Sequence, residues 1–350
     1  MTSMMMLSNE ELSSVFSDLT PIKQDDGPNP VCAIDYSPQF IQAYDYMRAI
    51  LSAGEKSERA LRLTGLCLKL NPANYTIWHF RRQCLLATHT NEEEGEDGNN
   101  NINNQQWIQQ DLELAATLGG DNPKNYQIWY HRRALLESVQ DRTPYVQAEL
   151  DYVAKVLDED SKNYHAWSHR QWVVRTSSNC QEDLWDKELE FAHSMIQKDP
   201  RNNSAWNQRW FVCHKGGEDK TLSLEVATKE ADYAIQGAGL DPYNESPWRY
   251  LIGVIKEQCK ILQAAEKDKF LDDYDQKAFG LRAVLEEAGN DPNDCASLTS
   301  ARIDILEFKG GEQSLEKAME LANGLATQYD PIRKKYWNLR VNEMKQVLAK

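Results

Sequence analysis

The chain has 350 residues, of which 41% are hydrophobic and 27% are charged, the composition of a soluble globular protein of one or two domains. Its 54 acidic and 39 basic residues give a formal charge of −15, so general nucleic-acid binding is not expected. The seven cysteines are scattered and form no Cys-x-x-Cys pair, which predicts reduced thiols in a cytoplasmic protein. No window approaches ~18 consecutive apolar residues, so we expect neither secretion nor an integral membrane protein.

Residues 1–56 are expected to form a leader that is partly disordered. From residue 57 onward, the segment SERALRLTGLCLKL has apolar residues at three- and four-residue intervals, which predicts an amphipathic helix. The same period returns further along the chain in three other segments: QWIQQDLELAATLG, YVQAELDYVAKVL and LWDKELEFAHSMIQ.

A second pattern follows each of these segments and makes the chain a repeat protein. An asparagine precedes a tryptophan by four residues in five places, and an arginine lies three residues after the tryptophan in four of them. The tryptophans are separated by 51, 38, 39 and 42 residues along the chain. The five copies are NYTIWHFRR (74–82), NYQIWYHRR (125–133), NYHAWSHRQW (163–172), NNSAWNQRW (202–210) and NESPWRYL (244–251).

The asparagines are predicted to begin helices, because asparagine is a preferred N-cap and a proline lies two residues earlier in four copies. Each repeat is then a pair of helices that cannot bury its apolar faces alone and must stack on its neighbours. We therefore predict an all-α fold, a crescent-shaped superhelix (solenoid) of repeated helical hairpins. The tryptophans are predicted to pack between helices, and the arginines to pair with acidic residues of neighbouring helices or of a partner.

The repeats are predicted to occupy residues 57–260, interrupted by a disordered insertion at residues 91–106. That segment, NEEEGEDGNNNINNQQ, is acidic and nearly free of apolar residues, so burial cannot offset the entropy of ordering it. After residue 260 the helical period continues while the repeat signature fades, and residues 261–350 are predicted to form a C-terminal helical cap.

One position stands out chemically. Lys124 immediately precedes the predicted helix start at Asn125, where a cation opposes the helix dipole but where free backbone N–H groups favour an anion. Lys162 and Arg201 occupy the same position in the next two repeats. A lysine beside such N–H groups is a candidate phosphate site, although exposed lysines are also common on surfaces.

Two other arrangements resemble metal sites only superficially. His165 and His169 lie four residues apart on a predicted helix, but the glutamate of a His-Glu-x-x-His motif is missing, and no third ligand is near. Cys213 and His214 are adjacent in sequence and poorly placed to bind one ion. We therefore expect no metal site in this chain.

The five Asn-x-x-x-Trp-x-x-Arg copies resemble those of the α subunits of protein prenyltransferases. Residues 24–61 also resemble the segment before the first repeat of the α subunit shared by farnesyltransferase and geranylgeranyltransferase type I. The resemblance implies an obligate heterodimer with a β subunit, which moves an isoprenoid from its diphosphate to the cysteine of a C-terminal Cys-a-a-X sequence. It also implies a catalytic Zn²⁺ held by the β subunit and Mg²⁺ in the farnesyl reaction.

The same resemblance assigns roles to individual residues. Lys124 matches a lysine that reaches the isoprenoid diphosphate, and Tyr126 a tyrosine beside it, so both are candidate catalytic residues. The candidate substrate-binding residues are Gln127, Tyr75, Asn163, Tyr164 and His165.

Two alternatives remain open at this point. A tetratricopeptide-like scaffold without catalysis would also be built of helix pairs, but its period of about 34 residues does not fit the spacing. The α subunit of Rab geranylgeranyltransferase shares the repeat but not the leader sequence. The choice between farnesyl and geranylgeranyl transfer is expected to be made by the β subunit.

Overall fold

The computed structural model describes residues 6–32, 34–89, 100–120, 122–178, 183–217 and 221–349, with only the backbone described for 100–105. Within these ranges the regular structure is helical and no strand occurs, which confirms the predicted all-α solenoid of helical hairpins. The chain divides into two compact units, residues 1–180 and residues 181–350.

The first unit holds a leader and three hairpins. Helices α1 and α2 of the leader are followed by the pairs α3/α4, α5/α6 and α7/α8, and the second helices α4, α6 and α8 pack on one another in sequence. The helices are α1 (Asn9–Val15), α2 (Pro38–Ala53), α3 (Glu58–Leu70), α4 (Tyr75–His89), α5 (Asn100–Gly119), α6 (Tyr126–Glu137), α7 (Thr143–Glu159) and α8 (Tyr164–Ser177).

The second unit holds four hairpins: α9/α10, α11/α12, α13/α14 and α15/α16. Consecutive second helices again pack together, since α10 contacts α12 and α12 contacts α14. The helices are α9 (Leu184–Lys198), α10 (Asn203–Cys213), α11 (Leu224–Leu240), α12 (Glu245–Gln258), α13 (Ala264–Glu287), α14 (Ala296–Lys309), α15 (Glu312–Gly324) and α16 (Lys334–Leu348).

The repeat residues form these elements for the predicted reasons. The side-chain oxygen of Asn125 accepts a hydrogen bond from the backbone N–H of Gln127 at 2.9 Å and so caps α6. The same cap begins α4, α8, α10 and α12. All five repeat tryptophans are buried, which confirms that they pack inside the hairpin stack: Trp78, Trp129, Trp167, Trp206 and Trp248.

Beyond residue 260 the structure retains more of the repeat than its sequence indicates. In the last hairpin, Trp337 lies six residues after Pro331 and three before Arg340, which is the spacing of the earlier repeats. Trp337 is fully buried, and Arg340 pairs with Asp304 of α14 at 2.8 Å. The signature is hard to recognise because Arg333 stands where the other repeats have asparagine. The described residues after 260 form two further hairpins, and the last of them keeps the tryptophan and arginine spacing of the repeat.

Two segments named from the sequence are described only in part. The leader contains the 16-residue helix α2, which packs against α3, while residues 1–5 lie outside the described residues. Of the predicted insertion at 91–106, residues 91–99 lie outside the described residues. Helix α5 begins at Asn100, so residues 100–106 are helical and belong to the second hairpin.

Candidate functional site

The turn that joins the two helices of a hairpin fixes the position of Lys124. The side-chain oxygen of Asn122 accepts from the backbone N–H of Lys124 at 3.2 Å, and Asn125 then caps α6. Asp160 makes the same contact with the N–H of Lys162 at 3.1 Å in the next repeat. Short polar side chains stabilise turns by such bonds, so the residues on either side of the capping asparagine have a defined direction.

A backbone carbonyl in each turn also links neighbouring repeats. The carbonyl oxygen of Pro123 accepts from the indole N–H of Trp129 at 2.7 Å and from the side-chain amide of Asn163, in the following repeat, at 3.2 Å. Pro72 likewise accepts from Trp78 and Asn125. Asn125 and Asn163 thus each cap their own helix and bind the previous turn, which fixes the spacing of these turns in the first unit.

Three tyrosines extend from these turns into solvent. Tyr75, Tyr126 and Tyr164 are each the first residue of a second helix, and their exposed fractions are 70%, 68% and 72%. Large aromatic side chains with this exposure are unusual in repeated positions unless a ligand or partner covers them. We call these three residues the tyrosine row.

His165 joins two members of the row. Its ring lies edge-on to that of Tyr126, with centroids 4.1 Å apart, and 5.6 Å from the ring of Tyr164. Partial burial lowers the pKa of His165 below its ordinary value, so the imidazole is predominantly neutral at neutral pH. Gln127 is half-buried one position further along α6, and its backbone N–H is already held by Asn125.

Lys124 is exposed but paired. Its ammonium lies 3.2 Å from a carboxylate oxygen of Asp160, in the turn of the next repeat. The hydrogen bond from Lys124 lowers the pKa of Asp160 below its ordinary value, with a further contribution from the backbone N–H of Lys162. Two contacts therefore join the second and third repeats near these turns: Lys124 with Asp160, and Tyr126 with His165.

Asn163 differs in position from the other candidates. Its side chain is buried, accepts from the backbone N–H groups of His165 and Ala166, and donates to Pro123. Through these contacts, the side chain of Asn163 caps α8 and joins two turns. Its contribution to the site is to orient Tyr164 and His165, which follow it directly.

Beneath the turns, buried arginines meet buried carboxylates. The Nε of Arg132 donates to Oε1 of Glu149, on α7, at 2.8 Å, and Nε2 of His169 lies 2.6 Å from the same oxygen. Burial would raise the pKa of Glu149, but Arg132 and His169 outweigh it and lower the pKa to about 2. Arg81 with Asp111, and Arg209 with Glu230, repeat the arrangement. The predicted pairing of these three arginines with acidic residues of neighbouring helices is confirmed.

Neither histidine pattern noted in the sequence forms a metal site. His169 is occupied by Glu149, and His214 by Glu257 at 2.7 Å. Across the described part of the chain, no three His, Cys, Asp or Glu residues are grouped so that they could hold a metal ion. None of the described helices is both long and apolar enough to cross a membrane.

Comparison with known proteins gives the family. The protein prenyltransferase alpha subunit repeat matches residues 57–88, 108–139, 146–177 and 185–216. The chain is 37% identical over 334 residues to the protein farnesyltransferase/geranylgeranyltransferase type-1 subunit alpha of Solanum lycopersicum, covering 93% of this chain and 88% of the relative. The subunit of the same name from Dictyostelium discoideum is 36% identical over 333 residues, covering 95% and 93%. The chain belongs to the family of farnesyltransferase/geranylgeranyltransferase type-1 α subunits.

A solved structure of the family supports the same assignment. The fold is similar to a chain of Candida albicans protein geranylgeranyltransferase-I complexed with GGPP, with a TM-score of 0.71, 25% identity, and coverage of 94% of this chain and 98% of that one. The type-2 α subunit of Candida albicans is 35% identical over 80 residues, which is 23% of this chain. The long matches to type-1 subunits therefore disfavour the Rab alternative, and the matched repeat disfavours a tetratricopeptide-like scaffold.

The sequence analysis missed one residue of the site, Asp160. A signal was present, because an acidic residue lies three positions before the capping asparagine in several repeats, at Asp160, Asp199 and Asp241. Only the fold reveals that this residue faces the cation of the preceding repeat, as Asp160 faces Lys124 and Asp241 faces Arg201.

Proposed function

We propose that the chain is the α subunit of a heterodimeric enzyme that transfers a farnesyl or geranylgeranyl group to the cysteine of C-terminal Cys-a-a-X sequences. The observation that carries this proposal is the exposed Lys124 before the start of α6, with Tyr126 of the tyrosine row in contact with His165, in a chain of this family. The Candida albicans relative, whose title names bound GGPP, supports an isoprenoid diphosphate as one substrate.

The reaction places specific demands on the site. The cysteine sulfur forms a bond to C1 of the isoprenoid while the bond from C1 to the diphosphate oxygen breaks, and the electron pair leaves with that oxygen. The thiol proton is lost to solvent as the nucleophilic thiolate forms. Negative charge grows on the diphosphate in the transition state, so a cation that strengthens its contact there lowers the barrier.

Lys124 meets this demand. Its ammonium is exposed, and the turn that fixes its backbone stands at the start of α6, where unpaired backbone N–H groups also favour an anion. Tyr126 lies two residues after Lys124, at the start of α6, and carries a hydroxyl that can donate to a phosphate oxygen. We assign both residues to the diphosphate.

The remaining candidate residues suit the peptide. Gln127 can donate its amide to the terminal carboxylate, and Tyr75 and Tyr164 offer aromatic surface to the side chains before it. His165, predominantly neutral and held against Tyr126, provides one donor and one acceptor between the two substrates. Asn163 supports this surface from beneath.

The β subunit supplies what these residues lack. Family resemblance implies Zn²⁺, but the described residues of this chain do not fit a zinc site, and we assign the ion to the β subunit. Mg²⁺ would accompany the diphosphate in the farnesyl reaction. The choice of isoprenoid belongs to the β subunit as well. We place the complex in the cytoplasm, where the free thiols of Cys67, Cys84 and Cys295 would remain reduced.

The test is Lys124→Ala in the complex with its β subunit. Loss of one charged contact that strengthens in the transition state is worth about 2–4 kcal/mol, so we expect single-turnover rates to fall roughly 30- to 1,000-fold. Binding of the isoprenoid diphosphate should weaken less than the rate falls.

Lys162→Ala is the matched control, because Lys162 occupies the same turn position one repeat later. Its effect should be small. Equal and minor effects of both substitutions, with the heterodimer intact, would remove Lys124 from the catalytic residues and place all of the electrostatic stabilisation in the β subunit.

A further inference from the structure

The pairing of Lys124 with Asp160 raises a question that the reaction itself does not answer. A carboxylate oxygen already lies 3.2 Å from the ammonium to which a phosphate oxygen would bind. The ammonium N–H that Lys124 donates to Asp160 is not available to a diphosphate at the same time. The two anions therefore compete for one cation.

Asp160 is well placed for this competition because its carboxylate is fixed. One oxygen accepts from the backbone N–H of Lys162 at 3.1 Å, and the other faces Lys124. The flexible partner is Lys124, whose side chain is 69% exposed and can swing between two anions. Tyr126 has a different partner, since its ring lies edge-on to that of His165.

The structure assigns to Asp160 the role of a positioning residue that holds the Lys124 ammonium and competes with the diphosphate for it. This inference rests on the proposed function. Its functional consequence concerns the product: after transfer, Asp160 recaptures Lys124 and weakens the hold on the departing inorganic diphosphate. The carboxylate thus favours product release at some cost in affinity for the isoprenoid diphosphate.

The substitution Asp160→Asn tests this with little disturbance to the fold. Asparagine can still accept from the N–H of Lys162, and the chain itself shows this, because Asn122 caps the equivalent turn of the second repeat. Only the negative charge and the competition are removed. Asp241→Asn is the matched control, since Asp241 pairs with Arg201 at 2.7 Å in the same two turn positions of later repeats.

The measurement is inhibition of the heterodimer by inorganic pyrophosphate, together with kcat and KM for the isoprenoid diphosphate. An exposed ion pair is worth a factor of about 1.5 to 5, so Asp160→Asn should tighten pyrophosphate inhibition by about two- to fivefold. KM should fall, and kcat should fall where product release limits turnover. Asp241→Asn should change none of these constants.

A double-mutant cycle separates competition from a general field effect. In the Lys124→Ala background, Asp160→Asn should leave pyrophosphate inhibition nearly unchanged, because the contested cation is gone. Equal tightening in both backgrounds would overturn the inference, and so would weaker or unaltered inhibition in the single Asp160→Asn variant. If Lys124→Ala itself changes neither rate nor inhibition, the proposed role of Lys124 fails together with this inference. If it changes both while Asp160→Asn changes nothing, only the role of Asp160 fails.

Discussion

At the scale of single residues, the ion pairs described above are of two kinds, exposed pairs at the turns and buried pairs between helices. Lys124 is exposed and can exchange its partner Asp160 for another anion, whereas Arg132 and Glu149 are enclosed and bound to each other. Arg132 also lies against the face of Tyr152, 3.7 Å from the ring centroid. The buried pairs are expected to determine stability, because a buried charge that loses its partner is costly.

Glu149→Gln tests that expectation. The substitution leaves the guanidinium of Arg132 buried without a counter-charge, and we expect a loss of about 3 kcal/mol in unfolding free energy. Thermal unfolding of the coexpressed complex at matched concentration would measure it. Glu225→Gln is the control, since Glu225 is exposed and pairs with Lys229 one helical turn away. If the free energy of unfolding falls no more than it does for Glu225→Gln, the buried pair makes no net contribution to stability.

The same carboxylate predicts a pH dependence. The pKa of Glu149 is about 2 in the fold, against 4.5 for an ordinary glutamate. The stabilisation is therefore complete above about pH 4.5 and is lost as the pH falls from there towards 2, because the unfolded chain takes up the proton first. Unfolding midpoints measured between pH 6 and pH 3 should fall more steeply for the native protein than for Glu149→Gln. Parallel curves would contradict the depressed pKa.

At the scale of the helical hairpin, the sequence predicted where helices begin but only half of what the asparagines do. Their capping role follows from local chemistry, which a short sequence window contains. The second bond, from the amide of Asn125 to the carbonyl of Pro72, spans 53 residues and depends on how hairpins stack. The acidic partners of the arginines were invisible for the same reason: they lie on first helices of the next repeat.

The double role of asparagine makes Asn125→Asp informative. Aspartate is as good an N-cap as asparagine, so a helix start alone would tolerate it. Here it removes the donor to Pro72 and brings a carboxylate against a carbonyl oxygen, which should cost about 1–3 kcal/mol in unfolding free energy.

Asn74→Asp is the comparison for this experiment. Asn74 also caps its helix, at 3.2 Å to Ile77, but its amide meets the hydroxyl of Tyr44 at 3.5 Å rather than a carbonyl. Denaturant unfolding of the two variants should show a clear loss for Asn125→Asp and little change for Asn74→Asp. Similar values would mean that the link between turns adds no stability.

At the scale of the whole molecule, the repeat signature identified the fold class and the family, while the net charge of −15 argued against general nucleic-acid binding. The sequence analysis predicted helices after residue 260 but did not recognise the repeat in the last hairpin, because asparagine is missing from its helix start. Trp337 and Arg340 retain the spacing of the repeat, but Arg333 hides it. The exposed tyrosine row could be placed on helix starts from sequence, whereas its solvent exposure required the structure.

The described residues of this chain also predict its dependence on a partner. They provide cations, aromatic rings and hydrogen-bond donors, but no grouped metal ligands to activate a thiol. We expect the purified chain, supplied with zinc, magnesium and both substrates, to transfer no isoprenoid and to be poorly soluble. Coexpression with a β subunit should restore both solubility and turnover in a prenyl-transfer assay. Robust turnover by the chain alone would contradict the assignment as half of an enzyme.

The turn carbonyls of Pro72 and Pro123, which each accept hydrogen bonds from two repeats, also determine where residues can be inserted into the chain. Tryptophans of successive early repeats lie 38 to 51 residues apart, yet tryptophan follows the turn proline by six residues at Pro72, Pro123, Pro200 and Pro242. One added residue between Pro123 and Trp129 would misalign bonds in two repeats at once. The α6–α7 and α12–α13 connections lie outside these turns, so epitope tags should be accepted there without disturbing the turns that bear Lys124.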